Sequence, residues 1–256
     1  MEYGICNLSI VPLRSGPSHQ VELISQVLFG EHFKVLEKRK EWSKIRLAFD
    51  TYEGWIDNKQ YTLISKEASA QLADSPSFLV GNLVDFITND RQVLSTLTIG
   101  AHLPHFSENK FHIGKERFQY EGDFISGKKE KGNLIKTAFL FLNTPYLWGG
   151  KTPFGIDCSG FSQMVYKLNG YQLLRDASQQ ATQGEVLSFI EESEPGDLAF
   201  FDNNEGAITH VGIIMKDNYI IHAHGNVRID RLDHSGIYNV DTKRHTHTLR
   251  VIKKII

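Results

Sequence analysis

The sequence predicts an α+β protein: helices packed on an antiparallel sheet in the C-terminal half, preceded by two small β-rich barrel modules. Three observations carry that expectation. Short β-prone runs broken by polar turns fill the first 125 residues, a helical apolar stripe appears abruptly after residue 130, and strand-like runs joined by short turns occupy the end of the chain.

The first module spans residues 1–62. Phe33–Leu36, Trp42–Leu47 and Gly54–Ile56 are short β-prone runs separated by polar turns, as in a partly open barrel. Residues 63–129 form a second β-rich module, with strands expected in FLVGNLVDFIT and RFQYEGDFI and with Pro76, Pro104 and several glycines in the connections. The stretch SGKKEKGN, residues 126–133, is polar, basic and glycine-containing, and reads as a linker.

The third module, residues 130–256, opens with LIKTAFLFLN, whose apolar positions 134, 135, 138, 139 and 142 trace a helical stripe closed by Pro145. The glycine-rich loop YLWGGKTPFGI follows. After Cys158, apolar Phe161, Met164, Val165 and Leu168 fall at helical spacing and Gly170 supplies a stop, so Cys158 stands at a helix start. DLAFF, THVGIIM, NYIIHAHG, NVRID and TLRVIKKII read as strands, whereas residues 230–248 read as an exposed polar loop without a role.

With 256 residues, a formal charge of −2 and a pI near 6.6, the chain carries no global basic field for nucleic acid or anionic lipid, and neither partner is expected. No run approaches the length of a membrane span. The N-terminus lacks a basic segment followed by a long apolar stretch, so a cytoplasmic protein is expected, or an exported one if a leader has been removed. Cys6 and Cys158 lie outside any CxxC motif, and no disulfide is expected. Oligomeric state is not legible.

A helix N-terminus presents unpaired N–H groups and partial positive charge, which favour a thiolate and can receive an oxyanion. By position alone Cys158 is a nucleophile or a buried structural thiol. His210 opens HVGII and His222 sits in YIIHAHG; on adjacent strands they supply a base and a group to orient it. His224 shares a strand face with His222 and could mimic it. The remaining histidines, His247 among them, read as ordinary surface or packing residues. The rival reading of Cys158, His210, His222 and His224 is a zinc site, but structural zinc prefers tight ligand pairs at a turn, so neither metal nor cofactor is expected.

YLWGG, IDCSGF, PGDLAFF, HVGI and IIHA, in that order, resemble the NlpC/P60 cysteine peptidases of bacterial cell-wall turnover over residues 130–256. The resemblance implies a papain-like domain with Cys158 as nucleophile, His210 as general base and His222 as the orienting third member. The first 125 residues resemble two bacterial SH3-like domains, the architecture of the γ-D-glutamyl-L-diamino acid endopeptidases. Members of that subgroup cleave murein stem peptides bearing a free N-terminal L-Ala and release L-Ala-γ-D-Glu. The first SH3-like domain limits one end of their groove.

By the same resemblance, Tyr146, Asp157, Glu22 and Tyr52 would surround the substrate ammonium, while Ser159 and Ser178 would hold the D-Glu carboxylate. Arg175 reads as an ion-pair or surface residue beside Asp176. Two rival functions are hydrolysis of intact peptidoglycan and a non-catalytic peptidoglycan-binding role.

Overall fold

The alternation in HFKVLEK and WSKIRL sends Phe33, Val35, Ile45 and Leu47 to one side of their strands and charged residues to the other, the period of a half-buried sheet. In the computed structural model, which describes residues 1–203 and 205–256, these strands belong to an antiparallel seven-stranded sheet. Its order is Leu23–Leu28, Ile10–Arg14, Glu53–Asp57, Trp42–Leu47, His32–Lys38, Glu2–Ile5 and Thr62–Ile64. Val11, Leu13, Val27, Phe33, Ile45 and Ile56 fill its core together with Cys6.

A helix at Lys66–Asp74, started by the Ser65 hydroxyl accepting from the Ala68 N–H (3.1 Å), follows where the sequence suggested only strands. The two long β-runs expected beyond it are each broken in two. Phe78–Val80 pairs with Phe124–Ser126, while Val84–Asn89 and Glu116–Gln119 lie in a separate four-stranded sheet. Gly81, Asn82, Gly122 and Asp123 sit at the breaks, turn residues that interrupt an apolar run.

The chain divides into two compact units, Met1–Gly127 and Lys128–Ile256. The break expected near residue 62 falls inside the first. There Phe29 packs edge-on against Phe111 and Phe118 (5.9 and 5.7 Å), and its carbonyl accepts the His102 N–H at 2.8 Å. The two modules therefore share a core.

In the second unit the expected helices form at Asn133–Phe139 and Cys158–Leu168. All residues of the latter are buried, Phe161, Met164, Val165 and Leu168 almost completely, and it packs on strands Ile208–Ile214 and Tyr219–His224. The sheet runs Glu185–Leu187, Arg244–Lys254, Leu198–Asp202, Ile208–Ile214, Tyr219–His224, Asn226–Asp233, Gly236–Asn239.

Gly236–Asn239 also pairs back onto Arg244–Lys254, Ile237 opposite His247, so six strands close into a ring. This corrects the reading of residues 230–248 as an exposed loop. Alternation there is carried by a few residues, Asp230, Leu232 and Ile237, pointing inward from a polar segment. No helix among the described residues is long and apolar enough to cross a membrane.

Candidate active site

The turn before Cys158 is built by backbone contact. Asp157 caps the helix in extended conformation, its Oδ1 accepting the Gly160 N–H at 2.6 Å and its Oδ2 the Gly149 N–H at 2.8 Å. A Cβ on Gly160 would stand 2.3 Å from the Gly150 carbonyl oxygen, so the glycines of YLWGG and CSG let loop and helix meet backbone to backbone.

The Cys158 sulfur lies 4.0 Å from the Thr209 carbonyl, and the Val211 N–H reaches it, which places the nucleophile beside the His210 stretch of the neighbouring strand. Burial pushes the Cys158 thiol up to about 12, and the Asp157 carboxylate adds to that rise. The Val211 and Ser159 N–H groups and the Arg175 charge oppose it. The helix start was expected to depress this thiol. It contributes in that direction, but desolvation outweighs it, so the resting group is a neutral thiol that needs a base.

That base is at hand. His210 Nε2 lies 2.8 Å from His222 Nδ1, and His222 Nε2 lies 3.1 Å from Asp230 Oδ2. His222 and Asp230 are fully buried and His210 nearly so. Gly212 stands opposite His222, where a Cβ would come within 2.7 Å of the Ile220 side chain and 3.0 Å of the His222 Cβ, so the glycine of HVGI lets the two strands carry these side chains close together. Burial holds His210 well below its ordinary pKa, with the His222, His247 and His224 rings pushing the same way, so the imidazole is neutral at pH 7 and able to accept a proton.

Sequence reasoning missed Asp230, Arg175 and His247. Asp230 also accepts from Arg228 Nε (2.7 Å), Arg228 Nη2 (3.1 Å) and the Val240 N–H (3.1 Å); together these partners and His222 outweigh its desolvation and hold its carboxyl down to about 2. His247 is no ordinary surface residue: ring closure stacks it on His210 at 4.2 Å. His224 stays exposed, 6.1 Å from His222 and stacked parallel to it. The described residues contain no cluster of His, Cys, Asp and Glu arranged to hold a metal ion.

Arg175 is almost completely buried and pairs with Asp157. Nη1 donates to Asp157 Oδ1 (3.0 Å) and Nη2 to Oδ2 (2.7 Å), a bidentate pair. The Asp157 carboxylate, expected to meet a substrate ammonium, is thus already held by a guanidinium and two N–H groups. The Ser159 hydroxyl, expected to hold a carboxylate, accepts from Arg175 Nη1 (3.0 Å) and donates to Asp157 Oδ1 (3.3 Å).

Ser178 is exposed on the short helix Ala177–Gln180, which packs against Ile208–Ile214. Tyr146 stands at the rim, 36 % exposed. Its phenol is raised above its ordinary pKa by burial and by the nearby Cys158 and Asp157. Glu22 and Tyr52 belong to the first unit. Glu22 is exposed just before Leu23–Leu28, and Tyr52 packs half-buried on the first core, its N–H bonded to Asp50 Oδ1 (3.0 Å). Cys6 is a free, buried thiol also pushed up to about 12 by burial, with the Glu31 carboxylate adding to the rise, and its sulfur contacts the Leu8 and Val27 carbonyls.

A buried thiol at a helix start, a neutral imidazole on the adjoining strand and a second imidazole behind it define a cysteine peptidase. The chain belongs to the NlpC/P60 family. The family's profile matches residues 143–246, and that of the bacterial dipeptidyl-peptidase SH3 domain matches residues 13–60. The chain is 32 % identical over 222 residues to a γ-D-glutamyl-L-lysine dipeptidyl-peptidase of Bacillus subtilis (strain 168), covering 78 % of this chain and 71 % of that one. It is 27 % identical over 257 residues to the dipeptidyl-peptidase 6 of Lysinibacillus sphaericus, covering 86 % and 88 %. A crystal structure of an NlpC/P60 family protein from Bacillus cereus ATCC 10987 shares the fold over 99 % of both chains, with a TM-score of 0.81 at 22 % identity.

The buried imidazoles make stability depend on pH. The unfolded chain binds protons on His210 and His247 near pH 6.5, whereas the folded chain refuses them, His247 down to about pH 4. Stability is therefore full above pH 6.5 and falls as the pH is lowered through that window, by about 1.4 kcal/mol per pH unit for each such imidazole. Urea midpoints measured from pH 7 to pH 4 should fall steeply for the wild type and less steeply for His247→Gln. Parallel profiles would contradict this account.

Proposed function

We propose that the protein hydrolyses the γ-D-Glu–diamino acid bond of murein stem peptides with a free N-terminal L-Ala, releasing L-Ala-γ-D-Glu. The observation that carries this is the Cys158, His210 and His222 arrangement in a chain that also has the dipeptidyl-peptidase type of SH3 domain. Two relatives named for dipeptidyl-peptidase activity support the reading.

His210 takes the Cys158 proton as sulfur attacks the γ-carbonyl, so charge forms only when the bond does. The oxyanion develops at the helix start, chiefly against the Cys158 N–H. The imidazolium then gives its proton to the departing amine, leaving a thioester. Next, His210 draws a proton from water, hydroxide adds to the thioester, and the thiol leaves with that proton. Tyr146 provides further polar surroundings of the substrate ammonium, with Asp157 shared between it and Arg175, and Ser178 meets the D-Glu carboxylate. In this reading residues 63–129 are the second SH3-like domain. The setting is the cytoplasm, which the two free thiols favour.

The test is an assay of L-Ala-γ-D-Glu-L-Lys and its meso-diaminopimelate counterpart, free and N-acetylated. The free peptides should release L-Ala-D-Glu, and acetylation should lower kcat/KM by about 100-fold or more, since it removes a paired charge. Tyr146→Phe should raise KM for the free peptides. Equal turnover of acetylated peptide, or faster digestion of intact sacculi, would transfer the assignment to a wall hydrolase.

A further inference from the structure

We propose that Asp230 is a positioning residue that sets the order of protons along the His222–His210 relay and so leaves Nδ1 of His210 as the lone pair available to Cys158. The argument is one of donors and acceptors. A carboxylate only accepts. Facing Asp230 Oδ2 at 3.1 Å, His222 Nε2 must therefore carry a proton and donate it. Neutral His222 then has its lone pair on Nδ1, which accepts from His210 Nε2 at 2.8 Å. With its proton on Nε2, neutral His210 has one basic nitrogen left, Nδ1.

The order also suits the charged state. When His210 Nδ1 receives the thiol proton, Nε2–H keeps donating to His222. Were the relay reversed, His210 Nε2 would be an acceptor, and its protonation would break the bond between the two rings.

The carboxylate is itself held for this work. Arg228 grips it with Nε on Oδ2 (2.7 Å) and Nη2 on Oδ1 (3.1 Å), and the Val240 N–H also donates to Oδ1. Arg228 in turn pairs with exposed Asp241. The other titratable rings packed on the relay are His224, further along the His222 strand, and His247, on Arg244–Lys254, and neither takes the place of an acceptor at His222 Nε2.

Asp230→Asn tests the idea sharply, because it keeps the shape and inverts the chemistry. Val240 N–H and Arg228 Nη2 both donate at the Oδ1 position and select the amide oxygen there, against the single Arg228 Nε bond at the Oδ2 position. The amide N–H₂ is then left toward His222 Nε2, and that donor forces the reversed relay.

This inference rests on Cys158 and His210 being the reacting pair, so thiol chemistry is measured alongside peptide turnover. Loss of a substrate assignment would leave the thiol readout standing. With the cleaved tripeptide as substrate, Asp230→Asn should lower kcat by roughly 10²- to 10⁴-fold with KM within about threefold of wild type. Its rate of Cys158 alkylation by iodoacetamide, followed by peptide mass, should shift to alkaline pH by about one unit or more, because the thiolate then forms without its base. Asp230→Glu should restore the neutral profile. A wild-type alkylation profile in Asp230→Asn, or a loss confined to KM, would overturn the proposal. If Asp230→Asn does not fold, ¹⁵N-histidine spectra of the wild type decide: Nε2–H on both His210 and His222 supports the relay, and either ring protonated on Nδ1 alone refutes it.

Discussion

Cys158→Ala is expected to lower peptide hydrolysis by about 10⁴-fold or more while leaving the protein folded, because it removes the sulfur proposed to form the thioester. The structural cost is small. The resting side chain is a neutral thiol, pushed up to about 12, so no buried charge loses its partner, and the change deletes one sulfur at a cost on the order of 1 kcal/mol. Asp157 continues to cap the helix through the Gly160 N–H whatever stands at 158.

His210→Gln should lose nearly as much, and the double variant little more, because a thiol without its base and a base without its thiol are equally idle. Cys6→Ser supplies the control: its sulfur sits against the Leu8 and Val27 carbonyls and should be dispensable for turnover. Initial rates with the tripeptide, alongside thermal unfolding of each variant, make the measurement. Substantial hydrolysis by folded Cys158→Ala would remove Cys158 from the chemistry.

The neutral resting thiol distinguishes this site from one that stores a thiolate. Burial pushes Cys158 up and holds His210 down, and both directions favour the neutral pair over a standing ion pair. That makes the orientation of His210 more important than its charge, and it is why the groups behind it matter.

How much of this was legible in sequence follows from the range of the interactions. The nucleophile helix was readable because its stripe at 161, 164, 165 and 168 is local and Gly170 stops it. The two histidines were readable because each sits in an apolar strand with an obvious period. Asp230 was not, since its role depends on register: His222 pairs opposite Arg228, which brings a residue two positions further along against the second imidazole. Nothing in a polar run announces that one of its acids is buried.

His247 needed the closing of the ring, a pairing between strands that composition does not specify. The Cys158 thiol shows the same limit in its energetics. The helix start is visible in six letters, but the burial that overrides it comes from the rest of the unit. Arg175 was legible in sequence as an ion-pair or surface residue, but not that the fold buries it in an ion pair with an acid 18 residues earlier.

Arg175→Met should be the most destabilising single change at the site, by about 3–5 kcal/mol, because it strands a buried carboxylate beside the nucleophile. The pair is desolvated on both sides, Arg175 at 1 % and the Asp157 side chain at 8 % exposure, and its geometry is bidentate. Compare Lys44 and Glu53, where the two side chains are 38 % and 31 % exposed; breaking that pair should cost about 1 kcal/mol or less.

Loss of Arg175 should also slow alkylation of Cys158 near neutral pH, since the guanidinium opposes the effect of Asp157 on the thiol. Adding Asp157→Asn should recover much of the lost stability. Asparagine still caps the helix, and the unpaired charge is gone. A double-mutant cycle on urea unfolding separates the pair from each residue's own packing. If Arg175→Met costs no more than the exposed pair, or if Asp157→Asn fails to rescue it, the guanidinium is not what neutralises the acid at the start of the nucleophile helix.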